Sequence, residues 1–142
     1  MKKIVAIAII CLLCIPCAYA EYGGEVEVEE LAKTSYSWDG AALPAYPEDS
    51  PEVTVLRIKI PPGTTLPLHY HPLINVGYLI SGALTVIKDD GTTLYLDAGD
   101  AIIELVDSWH YGKNEGDEIA DIVVFYMGTP GAEITVKHQA AQ

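Results

Sequence analysis

The sequence predicts an all-β fold, a single domain closed as a two-sheet jelly roll, on three observations. Apolar runs are short and rich in Val, Ile, Thr, Tyr and Leu, and several alternate with polar residues at the period of two of a half-buried strand. Turn residues punctuate these runs at intervals near the ~8–12 residues of sandwiches and barrels, and no long helical period occurs after the first twenty residues. For a body of this size, two sheets folded on each other are the architecture that best hides strand edges.

Residues 1–20 read as a secretory signal peptide. Met1-Lys2-Lys3 is the basic start, Ile4 to Ile15 the apolar stretch, Pro16 a break, and Ala18-Tyr19-Ala20 a small-x-small cleavage site before Glu21. The 17 residues from Ile4 to Ala20 fall short of a comfortable membrane span. Cleavage is therefore expected, with export to the periplasm or the outside of a bacterium and no membrane attachment afterwards. Cys11, Cys14 and Cys17 all lie in this leader, so the mature domain has no thiol for a disulfide or a thiolate ligand. Cys14-Ile15-Pro16 ahead of Cys17 fits lipid attachment poorly.

Loss of the leader removes Lys2 and Lys3 and leaves six basic against twenty acidic residues, a net charge of −14. Such a body repels nucleic acid and anionic membranes and attracts metal cations.

Residues 21–52 read as N-terminal strands and a wrapping loop. Val26 and Val28 alternate with glutamates, and Ser35-Tyr36-Ser37-Trp38 alternates again, as edge strands do; Glu25, Glu27, Glu29 and Glu30 oppose uncontrolled edge pairing. Residues 39–51 carry three prolines and form the loop. The barrel, residues 53–136, opens with the clearest strand, Val53 to Ile60, stopped by Pro61-Pro62-Gly63. Strands are then expected at Leu66 to His71, Val76 to Ile80, Leu84 to Lys88, Thr92 to Leu96, Ala101 to Val106 and Ile119 to Tyr126. Asp89-Asp90-Gly91 is a hairpin turn, because Asp-Gly accepts the positive φ that such turns require. Residues 137–142 are a polar tail, with His138 incidental.

His69 and His71 stand two apart on an expected strand, so both side chains share one face. Two imidazoles so placed, with His110 after a later strand, are either neighbouring metal ligands or half-buried histidines packed against Tyr70 and Trp109.

The spacing resembles the two motifs of the cupin superfamily. Gly63, His69, His71 and Gly82 match the first, with Pro72 after the second histidine, and Gly99, His110 and Asn114 match the second. The likeness runs from about Val53 to Val136. It implies a double-stranded β-helix, the jelly-roll cupin barrel, and one divalent transition-metal ion held by His69, His71 and His110, with Zn, Fe, Mn, Ni and Cu all open. It also implies a small-molecule ligand and a homodimer as one state. Oxygenase, isomerase and lyase activities are all compatible with it.

Three positions depart from the pattern: Asn75 stands where the first motif has glutamate, and Leu105 and Asp107 where the second has Pro and Gly. Asn75 is either a weak oxygen ligand or a turn residue. By parity Gly77 and Leu79 share its face, and Gly77 is expected to leave room beside the ion. Glu104 interrupts an apolar run, where a carboxylate is expensive unless paired. It faces either the cavity, replacing the missing charge, or solvent. Besides a metalloenzyme, the readings are a non-catalytic barrel that captures a small ligand or a metal, and a scaffold acting through its surface.

Overall fold

The computed structural model describes residues 24–139. The signal peptide read in residues 1–20 lies outside them. The described residues form nine strands and no helix: β1 (Glu52–Ile60), β2 (His69–Tyr70), β3 (Asn75–Ser81), β4 (Ala83–Lys88), β5 (Thr93–Asp97), β6 (Ala101–Ile103), β7 (His110–Lys113), β8 (Ala120–Gly128) and β9 (Val136–Lys137). Two antiparallel sheets result, ordered β1-β8-β3-β6 and β5-β4-β7-β2-β9. Their inner faces meet in a core that includes Ile60, Leu79, Leu84, Val86, Leu96, Ile102, Ile122 and Val124. This is the expected all-β double-stranded β-helix.

The period of two places the side chains. On β3, Asn75, Gly77 and Leu79 are buried while Tyr78 faces out; on β8, Ala120, Ile122, Val124 and Tyr126 are buried while Phe125 faces out. Gly91, at φ 89°, closes the Asp89-Asp90-Gly91 hairpin between β4 and β5 as expected, its N–H donating to the Lys88 carbonyl. Gly82, at φ 76°, turns β3 into β4 where a Cβ would stand 2.5 Å from the Ile119 carbonyl oxygen, so only glycine fits.

Several sequence expectations need correction. Residues 24–33 form no strand and are exposed; of the expected edge strands only a bridge between Tyr36 and Ala42 exists. Alternation with glutamate is not enough to hold a strand that lacks a paired neighbour. The strand expected over Leu66 to His71 shrinks to His69–Tyr70, flanked by single bridges from Thr65 to Lys113 and from His71 to Val106. The strand expected to reach Val106 stops at Ile103. β7 and β9 were not foreseen; each is too short to show a period.

Candidate metal centre

The site is built by the β5-β4-β7-β2-β9 sheet. His69 and His110 face each other in the β2–β7 register, and His71 follows two residues on. Their ring centroids form a triangle with sides of 4.6 Å (His69–His110), 5.0 Å (His69–His71) and 5.2 Å (His71–His110). Each Nδ1 lies against a backbone carbonyl: His69 on Pro67 at 2.7 Å, His71 on Ile134 at 2.8 Å, and His110 on Ser108 at 2.8 Å. A carbonyl only accepts, so each Nδ1 carries the proton and each Nε2 is left with a lone pair. The three potential ligand atoms lie within 4.8 Å of one another. Such locking of the far ring nitrogen is how proteins orient metal-binding histidines.

Burial favours the neutral form of all three rings. It pushes His71 down to about 4 against the opposing effect of the Ile134 carbonyl, and lowers His69 and His110 as well. Neutral imidazole is the form that binds a metal.

Glu104 faces inward, which decides between its two readings. Its carboxylate lines the cavity beside the histidines and is only 8% exposed. Oε2 stands 3.6 Å from His110 Nε2, and neither atom has a hydrogen-bond partner. Burial pushes this carboxyl up to about 7, with His69 acting the other way.

Asn75 is wholly buried on β3, opposite Tyr126 in the β3–β8 register. Its Nδ2 donates to the Leu73 carbonyl at 3.2 Å, and its Oδ1 has no partner. Asn75 does not belong to the cavity lining. Leu105 is buried in the place of the motif's proline. Asp107 takes the place of the motif's glycine and keeps its backbone shape, at φ 53°, with its N–H on the His71 carbonyl.

The expected room at Gly77 is not there. A Cβ on Gly77 would meet Ile102 Cγ2 at 2.8 Å and Ile122 Cδ1 at 2.9 Å, so this glycine admits core side chains rather than a ligand. The glycine that does line the cavity is Gly112, which the sequence reading passed over.

The cavity holds about 250 Å³, below the ~300–1,000 Å³ of sites for drug-sized ligands, so it suits a small molecule. Its walls are mostly apolar, with Ile58, Leu66, Leu84, Val124 and Tyr126 among them. Thr135 and Lys137 also line it, and Lys137 bears on His69 electrostatically. No sequence signal links residues 134–137 to the histidines; β9 brings them there by pairing Lys137 with His69. His138 stays outside the cavity, near Trp109, and Trp109 packs edge-on against Tyr70 away from the site.

Comparison with known proteins agrees with this architecture. The family model described as "Cupin domain" matches residues 56–126, half of the chain. A conserved protein with a double-stranded β-helix domain from Klebsiella pneumoniae is similar at 24% identity and a TM-score of 0.52, over 68% of this chain and 75% of that one. A DMSP lyase from Ruegeria pomeroyi is similar at 18% identity and 0.53, over 60% of this chain and 42% of the lyase. An oxalate decarboxylase from Lactobacillus farciminis is similar at 23% identity and 0.52, over 60% of this chain and 26% of that one. The chain thus spans under half of either enzyme. No curated protein matches it.

Proposed function

The chain belongs to the cupin domain family, and on that premise we propose that it binds one divalent transition-metal ion on His69, His71 and His110 and acts on a small molecule in the adjoining cavity. The observation that carries this reading is the grouping of three histidines whose potential ligand atoms lie within 4.8 Å of one another, each Nδ1 being engaged by a backbone carbonyl. The donor set fits such an ion: three neutral imidazoles suit Zn²⁺, Fe²⁺, Mn²⁺, Ni²⁺ or Cu²⁺. The ion, when bound, supplies a Lewis acid toward an oxygen of the small molecule.

The remaining roles belong to the chain. Ile58, Leu84 and Val124 exclude water, Lys137 attracts an anionic group, and Glu104 brings the one carboxylate of the cavity lining to the side of the histidines. The lyase and decarboxylase that share this fold support a small-molecule reaction of oxygenase, isomerase or lyase type. Export is part of the proposal and rests on the sequence of residues 1–20.

The test is the metal content of the mature protein purified without a His-tag, beside the His69→Ala/His71→Ala double variant. About one ion per chain, lost in the variant, is the expected result. Near-zero metal in both after reconstitution overturns the metal reading. It then leaves the second one, a non-catalytic barrel whose apolar walls capture a small ligand.

A further inference from the structure

Three neutral histidines leave the charge of a divalent ion uncompensated, and position 75, where the family's motif has its carboxylate, carries an amide. The cavity nonetheless contains one carboxylate, from the segment that follows β6. Glu104 Oε2 and His110 Nε2 are both buried, both without a partner, and 3.6 Å apart. That separation is too long for a hydrogen bond between them. His110 cannot donate across it, because its proton is on Nδ1, committed to the Ser108 carbonyl. Two acceptors facing each other in a dry site repel unless a proton or another cation lies between them, and 3.6 Å is too long for a proton shared in a hydrogen bond.

The distance matches a shared cation. Two donor atoms at ~2.0–2.2 Å from one ion, subtending a tetrahedral angle, lie roughly 3.4 Å apart. Asn75 does not line the cavity, and its side chain makes one hydrogen bond, from Nδ2 to the Leu73 carbonyl. The Glu104 backbone N–H donates to the Asn75 carbonyl at 3.1 Å, so the two candidates sit on hydrogen-bonded neighbours, and of the two only Glu104 lines the cavity with the histidines.

We infer that Glu104 is the fourth, anionic ligand of the ion held by His69, His71 and His110, and that the negative charge has moved from position 75 to position 104 in this chain. The inference rests on the metal-centre reading above. Asn75, relieved of coordination, is a buried packing residue of β3.

Co²⁺ titrated into the metal-free protein, followed by its visible absorption and by infrared difference spectra, tests this. Glu104→Gln keeps the size and removes the charge. It is expected to weaken Co²⁺ binding by more than about a hundredfold, beyond the roughly 10–100-fold that follows loss of a partner merely orienting a ligand. Asn75→Ala is expected to stay within about threefold of wild type. The wild type should also show a shifted pair of carboxylate stretches on adding one equivalent of Co²⁺, absent from Glu104→Gln. Unchanged affinity in Glu104→Gln, a wild-type spectrum without the shift, or the large loss falling on Asn75→Ala instead would overturn the inference while leaving the three-histidine site intact. A wild type that binds no Co²⁺ overturns both. Should Glu104→Gln not fold, the wild-type infrared shift and the Asn75→Ala affinity still decide.

Discussion

Two wholly buried asparagines mark opposite conditions in this barrel. Asn114, after β7, has every group engaged: its Nδ2 donates to the Ile60 carbonyl at 2.8 Å and the Glu118 carbonyl at 2.7 Å, and its Oδ1 accepts from the Gly116 N–H at 3.0 Å. Its backbone N–H and carbonyl bond to Thr64 and Gly63. Asn75, at the other motif position, has one side-chain bond and an orphaned oxygen, and the nearby Glu104 Oε2 and His110 Nε2 are orphaned too. Buried polar groups are almost always paired unless something missing or functional explains them. One region is a finished clamp; the other leaves three buried polar atoms without a hydrogen-bond partner.

The largest expected effect tests the clamp. Asn114→Ala removes three side-chain hydrogen bonds at once, to the Ile60 and Glu118 carbonyls and from the Gly116 N–H, so it should destabilise by about 3 kcal/mol, or roughly 10 °C in Tm. Metal affinity of the folded fraction should be unchanged. A thermal melt beside a Co²⁺ titration checks both, and a variant that melts like wild type removes the contrast between the two asparagines.

A comparable effect of opposite sign is expected at the site. In the metal-free protein the Glu104 carboxyl stands at about 7 against its ordinary 4.5, so between these values the folded state binds the extra proton. Stability therefore falls as pH rises from about 4.5 through 7, and the penalty is full above that range. Glu104→Gln, without metal, should be more stable than wild type at pH 8 by about 3 kcal/mol and nearly equal to it at pH 4. Urea denaturation with a chelator present measures this. A difference that does not change with pH would mean that the carboxylate is not desolvated as its burial implies.

The smallest effect concerns Asp107, the one non-glycine residue at positive φ among the described residues. Asp107→Gly restores the residue this turn prefers and should stabilise by about 0.5–1 kcal/mol, with metal affinity retained. A loss of stability would show that the Asp107 side chain contributes more than its backbone strain removes, which would sharpen the site region as one built with compensations.

The histidine pair was legible because strand parity is local: two residues apart on a strand means one face, whatever the rest of the chain does. The strand order was not, since β1 pairs with β8 and β3 with β6 across long stretches of sequence. Gly77 shows where local parity misleads. Its inward face was read correctly, but the space beside it belongs to Ile102 and Ile122, whose positions no spacing rule supplies. The N-terminal run at Val26 and Val28 misled differently, because alternation marks a strand only where another strand is there to receive its hydrogen bonds.

By itself the sequence determined the all-β class, the barrel's motif glycines and histidines, the hairpin at Asp89-Asp90-Gly91 and the absence of a glutamate at position 75. These depend on residue type and short spacing, which the backbone reads directly. Tertiary structure alone decided that Glu104 faces the histidines, that Ile134 anchors His71 from 63 residues away, and that Lys137 joins the cavity through β9. Orientation at a strand's frayed end and contact between distant segments follow from how two sheets pack, and that packing is a property of the closed barrel rather than of any stretch within it.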